Sequence, residues 1–161
     1  MVSEAYRPPA RLLATSRWAA LAVVNECSPA AAMTSYALAP DGTALYIHLS
    51  QRALHTRALL EEPRAAFVVS APDTGDGDPQ TLPRLSLAGV ALAVVPGTPE
   101  HAAGRDAFVS RFPGADERFA LADFVLFRFE PSDARWVGGF ERALRMTGVQ
   151  LAEAVREAFT A

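Results

Sequence analysis

Short apolar stretches separated by turn residues run along most of the chain, and several of them alternate between apolar and polar positions. Alternation with a period of two is typical of β-strands. The first such stretch predicts a strand over Trp18–Asn25 and the next a strand over 31–39. Proline presets φ and glycine permits positive φ, so the sequence at 40–42 predicts a turn. This turn joins the second strand to a third at 45–49, and we expect a hairpin.

The third strand has two different faces. Leu45, Ile47 and Leu49 point one way, and Tyr46 and His48 point the other. Further strands are predicted at 65–70, 85–95, 124–129 and 135–137.

Three segments between or within these strands carry residues typical of loops, bulges or turns. Residues 72–83 are rich in Pro, Gly and Asp and predict an exposed loop. Gly89 lies inside the strand at 85–95 and predicts a bulge or a bend. Pro131, Ser132 and Asp133 predict a turn between the last two strands.

Capping residues and prolines predict the helices, because both mark where a helix starts or stops. The first predicted helix is 10–16, after Pro8 and Pro9, and the second is 51–60, with Ser50 as N-cap and Pro63 beyond its end. The third is 99–112, with Thr98 as N-cap. A C-terminal helix is predicted over 147–159, with a Thr147/Gln150 capping box and an apolar stripe of Leu151, Val155 and Phe159.

Strand pairs joined by short turns, with helices inserted late, predict a mostly β, α+β fold: an antiparallel barrel with helical caps. A doubly wound parallel sheet needs a helix after nearly every strand, which the turns at 40–42 and 131–133 do not supply. Residues 1–161 are expected to form one domain, with 1–9 flexible.

Charge and composition narrow the function classes. The net charge is −3, which gives no reason to expect nucleic acid or an anionic membrane, and no apolar run is long enough to span a bilayer. A lone cysteine, Cys27, favours a reducing, cytoplasmic location. All fifteen basic residues are Arg, so lysine Schiff-base chemistry and a phosphate-loop lysine are excluded. A bound phosphate would need Arg, His, hydroxyl or backbone amide donors.

The start of the helix at 51–60 is the first candidate site. Helix N-termini bind phosphate through unpaired amides, and Arg52, His55 and Thr56 share one face there. The alternative is that Arg52 and His55 only solvate an exposed helix face.

Two other positions are candidates for ligand contact. Arg84, beside the strand at 85–95, could hydrogen-bond a flavin ring or a phosphate, or could be an ordinary edge charge. His48 could be a satisfied core histidine, a ligand contact or a haem ligand. The histidines at 48, 55 and 101 lack the spacing of a zinc site, so we predict no metal.

The order of these segments resembles the FMN-binding split-barrel family that includes pyridoxamine-phosphate oxidase. The segments that carry the likeness are the strands at 18–25, 31–39 and 45–49, Ser50, His55-Thr56, Pro63 and Arg84-Leu85-Ser86-Leu87-Ala88-Gly89. The later stretches Ser110-Arg111-Phe112-Pro113, 124–130 and Val137-Gly138-Gly139-Phe140 resemble the haem-utilization branch of that family in particular.

This resemblance implies a homodimer with FMN in clefts at the dimer interface. It places Thr34 and Ser35, and the run Ile47, His48, Leu49 and Ser50, along the flavin. Ser50, His55 and Thr56 would take the phosphate and Arg84 would contact the flavin.

Three functions remain open. The first is an FMN-dependent oxidoreductase of unassigned substrate, in which the cofactor carries the redox chemistry and no residue is assigned a catalytic role. The second is haem binding or haem breakdown, with His48 or His55 as iron ligand. The third is a non-catalytic flavin carrier or sensor. FAD and a deazaflavin are alternatives to FMN as the cofactor.

Overall fold

The computed structural model describes residues 3–139 and 143–160, and these form a curled antiparallel sheet with helices packed against it. Its helices and strands in chain order are α1 (Arg7–Thr15), β1 (Trp18–Asn25), β2 (Ser28–Ser35), β3 (Ala37–Leu38), β4 (Leu45–Ser50), α2 (Leu54–Glu61), β5 (Arg64–Ser70), β6 (Arg84–Ala93), α3 (Pro99–Arg111), α4 (Asp116–Phe119), β7 (Phe124–Val137), β8 (Ala143–Thr147) and α5 (Gly148–Thr160).

Strands β2 and β3 lie at opposite ends of the sheet although only Tyr36 separates them along the chain. The strand order is β2-β1-β5-β6-β7-β4-β3, with β8 paired to β7, and every described pair is antiparallel. Because one continuous segment supplies both end strands, the sheet curls until its ends meet. Tyr36 is fully buried, and its hydroxyl donates to the Leu13 carbonyl at 2.7 Å. The predicted mostly β split barrel with helical caps is confirmed.

The predicted hairpin around 40–42 is confirmed, but its first strand is broken. Ala37 pairs with Tyr46 and Leu38 with Leu45, and the Gly42 amide donates to the Ala39 carbonyl at 2.8 Å. The single strand predicted over 31–39 is instead β2 and β3. The break lies at Tyr36: the residues before it pair with β1, and Ala37 and Leu38 after it pair with β4.

The turn predicted at 131–133 is wrong, because β7 runs through it as one strand of 14 residues. The register between β6 and β7 shifts between Ala88 and Gly89, which leaves Ser132 as the extra residue of a bulge. A Cβ on Gly89 would lie 2.0 Å from the Glu130 carbonyl oxygen, so only glycine fits this crossing. Proline is tolerated in a bulge, so Pro131 marks a kink here rather than a chain reversal.

The barrel encloses one apolar core and carries a second on its outer side. Leu45, Ile47 and Leu49 belong to the inner core, which α1 and α5 also enter. Tyr46 belongs to the outer core, between β4 and α3. The two predicted faces of β4 are therefore confirmed.

Two of the predicted helix caps are confirmed. The His101 amide donates to Thr98 Oγ1 at 3.2 Å, and the Gln150 amide donates to Thr147 Oγ1 at 3.3 Å. The first helix begins at residue 7 rather than 10, and the α5 stripe ends before Phe159, which is 55 % exposed. Strand β8 and helix α4 were not predicted. None of the described helices has the length and apolar character needed to cross a bilayer.

Candidate functional site

Ser50 is the last residue of β4 and does not cap α2, so that prediction is wrong. Its side-chain oxygen accepts the Arg52 amide at 3.3 Å, and its carbonyl accepts the Ala53 amide at 3.1 Å. These bonds close a turn, and α2 begins only at Leu54. The Ser50 hydroxyl accepts a hydrogen bond within the turn that precedes α2, so the helix starts later than predicted.

The first turn of α2 has no side-chain cap. Ala53 occupies the N-cap position and has no side-chain oxygen to offer. The first amides of a helix have no partner within the helix, so they remain available to an anion. Thr56 lies in this turn, fully buried, and its Oγ1 has no hydrogen-bond partner in the described part of the chain. Buried hydroxyls are normally hydrogen-bonded, which marks this turn as a candidate binding site.

Two guanidinium groups lie beside this turn. Arg52 is exposed, and its Nε lies 3.4 Å from Oδ2 of Asp123. Arg57 is also exposed, and its Nη1 donates to the Arg52 carbonyl at 3.2 Å. His55 is half-buried, and burial lowers the pKa of its imidazole, so at neutral pH it contributes a hydrogen-bonding group rather than a charge.

Ser50, Arg52, His55, Thr56 and Arg57 form a cluster of donors at the start of α2. The barrel is split next to this cluster. If the register of β3 with β4 continued, Thr34 would lie opposite Leu49 and Ser35 opposite His48. The ladder with β4 stops at Ala37, and among the described residues Thr34 and Ser35 pair only with Ala19 and Trp18 on β1, so β2 and β4 separate here. Helix α2 follows β4 after a short turn and contacts both β1 and β2. The ends of β2 and β4 and the start of α2 therefore lie next to one another.

Not every predicted side chain can contact a ligand bound between β2 and β4. Ile47 and Leu49 pack into the barrel core, so only their backbone could line such a ligand. Thr34 is buried, and its hydroxyl donates to the Ser35 carbonyl at 3.1 Å.

His48 lies on the outer face of β4 under a cluster of phenylalanines. Its ring stacks on Phe119 with centroids 3.8 Å apart, and its Nδ1 is buried with no described partner. Burial lowers the pKa of His48 to about 4, with smaller contributions from Arg118 and His101. The imidazole is therefore neutral, and Phe119 covers one of its faces.

Arg84 is not part of the group of donors at the start of α2. Its guanidinium donates to the carbonyls of Gln80 at 2.8 Å and Leu82 at 3.2 Å, which ties down its own loop. Arg84 pairs with Val137 at one end of β7, whereas Ser50 pairs with the first residue of β7 at the other end. Roughly 40 Å of strand separates the two positions, at about 3.3 Å per residue.

Asp123 is the site residue that sequence reasoning missed. Its carbonyl accepts the Gln51 amide at 2.7 Å, and its carboxylate lies 3.5 Å from Ser50 Oγ. Asp123 is adjacent in sequence to no other member of the cluster. Only the pairing of β4 with β7 brings it there, and no local pattern reports that pairing.

No three His, Cys, Asp or Glu side chains within 3–139 and 143–159 converge in a way that could hold a metal ion. Phe140, which ends the haem-utilization resemblance, lies outside the described residues.

Comparison with known proteins supports this architecture. The family model for the CREG β-barrel matches residues 9–147. A haem-binding protein from Mycobacterium smegmatis is 30% identical with a TM-score of 0.83; the alignment covers 95% of this chain and 62% of that protein, so this chain spans less than two thirds of it. The haem storage protein HutZ from Vibrio cholerae is 19% identical over 93% of this chain and 99% of its own, with a TM-score of 0.70. An FAD-binding protein from Mesorhizobium loti is 18% identical over 83% and 92%, with a TM-score of 0.63.

Among curated protein sequences none matches significantly. The match to the family model covers most of the chain, and the structural matches extend the likeness to proteins that bind haem or a flavin. The chain therefore belongs to the CREG β-barrel family.

Proposed function

We propose that this chain binds a flavin nucleotide, FMN, with the phosphate at the first turn of α2 and the ring along the split between β2 and β4. The observation that carries the proposal is the uncapped start of α2, where the buried Thr56 hydroxyl has no partner among the described residues. Unused donors of this kind, next to the point where β2 and β4 separate, suit an anionic group.

The residues present fit that cofactor. The amides of 54–56, the Ser50 hydroxyl and the guanidinium groups of Arg52 and Arg57 supply donors for a phosphate in a chain without lysine. The neutral His55 adds a further hydrogen bond. The bound flavin would supply the redox chemistry, while these residues bind and orient it. The proposed activity is that of an oxidoreductase, with its substrate unassigned.

A homodimer is part of the proposal, because an apolar patch lies on the outer face of the sheet beside the end of β2. Ala20 on β1 pairs with Met33 on one side and Val68 on the other, which sets these side chains in one row. Met33 is 47 % exposed, Val68 40 % and the nearby Trp18 58 %. Exposed apolar patches of this kind mark protein interfaces. A second copy seated on this face would bring its own surface next to the ends of β2 and β4, and we propose that its Arg84 contacts the flavin there.

The test is flavin binding by the purified chain. We expect the absorption bands of oxidised flavin after addition of FMN, with saturable quenching of its fluorescence. Thr56→Val should weaken FMN binding several-fold, and the matched variant Thr15→Val, at an exposed position on α1, should not. Equal FMN affinity in all three proteins would contradict the proposed site.

Oxidoreductase and carrier functions are separated by turnover. Reduction of the bound flavin by NADPH, followed by reoxidation with an acceptor over many cycles, supports the enzyme. Binding without turnover supports the carrier or sensor. Cys27 is exposed, and we propose a reducing, cytoplasmic location for the chain.

Haem binding is the second candidate function, favoured by the 30% identity to the mycobacterial haem-binding protein. Phe119 stacks on His48, so the half-buried, neutral His55 is the better iron ligand. A Soret band that is lost in His55→Ala and kept in His101→Ala would support this function. A band unaffected by both substitutions would exclude His55 as the ligand.

A further inference from the structure

A carboxylate lies inside the cluster of donors proposed to bind phosphate. Oδ2 of Asp123 is 3.4 Å from Arg52 Nε and 3.5 Å from Ser50 Oγ. Both groups are among those that would hold the phosphate, so the acid occupies their donors when no ligand is bound. A phosphate placed on them would meet a negative charge within a few ångströms.

A backbone hydrogen bond holds Asp123 at the site. The residue could move away only if that bond broke. The Gln51 amide donates to the Asp123 carbonyl at 2.7 Å, which joins the start of β7 to the turn before α2. The Asp123 side chain is 41 % exposed and the Arg52 side chain 88 % exposed, so both can change rotamer. A bound anion would therefore displace the Asp123 carboxylate from Arg52, but the carboxylate would remain close to the anion.

We propose that Asp123 is a selectivity residue of this site: it lowers the affinity for a doubly charged phosphate monoester, the proposed ligand FMN included, relative to a ligand with one negative charge or none at that position. The proposal rests on the proposed function, since it concerns the same cluster. A phosphate monoester carries close to two charges at neutral pH, whereas a phosphate inside a diester or pyrophosphate linkage carries one. Repulsion from a single carboxylate acts about twice as strongly on the dianion.

The test compares Asp123→Asn with the matched variant Asp116→Asn. Asp116 pairs with Arg105 on α3, has no described contact with Ser50 or Arg52, and loses the same charge. We expect Asp123→Asn to bind FMN roughly three- to tenfold tighter than the parent, the size expected for one or two exposed charge contacts. Riboflavin, which has no phosphate, should bind the parent and both variants equally, and Asp116→Asn should leave FMN affinity unchanged.

Other outcomes overturn the proposal. An unchanged ratio of FMN to riboflavin affinity in Asp123→Asn would show that the carboxylate does not oppose the phosphate. Weaker FMN binding would show that Asp123 positions Arg52 instead. Equal tightening in both variants would reduce the effect to net charge.

Inorganic phosphate separates this proposal from the proposed function. If the parent binds neither flavin, the proposed function fails, and phosphate alone then decides the role of Asp123. We expect phosphate at low ionic strength to raise the melting temperature of Asp123→Asn more than that of the parent or Asp116→Asn. An equal shift in all three would overturn the role assigned to Asp123.

Discussion

Thr56 and His48 each keep a buried polar atom without a described hydrogen-bond partner, Oγ1 in the first and Nδ1 in the second. A buried group left in this state costs about 1–3 kcal/mol of stability. Thr56 lies at the start of α2, and in the proposed function it would recover that loss when the flavin phosphate binds. His48 is on β4 and lies under the Phe119 ring of α4, where burial keeps its imidazole neutral.

Thr56→Val should therefore make the ligand-free protein more stable. Valine keeps the branched shape and removes the unsatisfied hydroxyl, so we expect the free energy of unfolding in urea to rise by about 1 kcal/mol. A fall in stability would mean that the hydroxyl has a hydrogen-bond partner in solution and is not a free donor.

His48 should make stability depend on pH. Its pKa is lowered in the folded state, so between about pH 6.5 and pH 4 the unfolded chain takes up a proton that the folded chain does not. The free energy of unfolding should fall as pH drops through this window, by up to about 3 kcal/mol. His55, whose pKa is also lowered, adds a contribution of the same sign.

Thermal unfolding between pH 7 and pH 4.5 checks this prediction. His48→Phe should flatten much of the dependence, whereas His101→Gln, which removes only a smaller contribution to the lowered pKa of His48, should retain most of it. The same slope in parent and His48→Phe would show that His48 is protonated in the folded protein.

At the scale of elements, the hairpin between β1 and β2 is built with an unfavourable sequence. Glu26 and Cys27 form its two-residue turn, and both have positive φ, 48° and 64°. A turn of this geometry favours Asn-Gly, because other residues clash in the left-handed region.

Replacing this pair by Glu26→Asn with Cys27→Gly should raise the free energy of unfolding by about 1–2 kcal/mol without changing ligand binding. Urea unfolding of the double variant measures the gain, and Cys27→Ser serves as the control for loss of the thiol. No gain beyond that of the control would show that the turn relaxes in solution.

The same elements show how far the sequence leads. The alternation at 45–49 was sufficient to predict both faces of β4, and Thr98 and Thr147 were sufficient to place two helix starts, because each of these signals is local. Ser50 misled because its hydroxyl caps a turn that precedes the helix. Pro131 misled because a bulge and a turn share the same residue preferences, and only the partner strand distinguishes them.

The site was partly visible for the same reason. The start of α2 could be found from Arg52, His55 and Thr56, which are close in sequence. Strand pairing brings Asp123 to the cluster and places Arg84 far from it. No short sequence pattern encodes that pairing.

On the scale of the whole molecule, the curled sheet protects one face and leaves part of the other uncovered. Met33→Glu would place a charge in the row formed with Ala20 and Val68. We expect this variant to be monomeric by light scattering and to bind FMN more weakly, because burying an unpaired charge in an interface is costly. Val149→Glu is the matched control, since Val149 is 68 % exposed on α5, outside that row. If Met33→Glu remains dimeric, the interface lies elsewhere.

Flavin binding at the start of α2 would be tested most directly by a crystal structure of the chain grown with FMN. The phosphate should lie within hydrogen-bond distance of the amides of 54–56 and of Thr56 Oγ1, with the ring between β2 and β4. A flavin bound elsewhere, with the first turn of α2 capped by the protein's own groups, would contradict it.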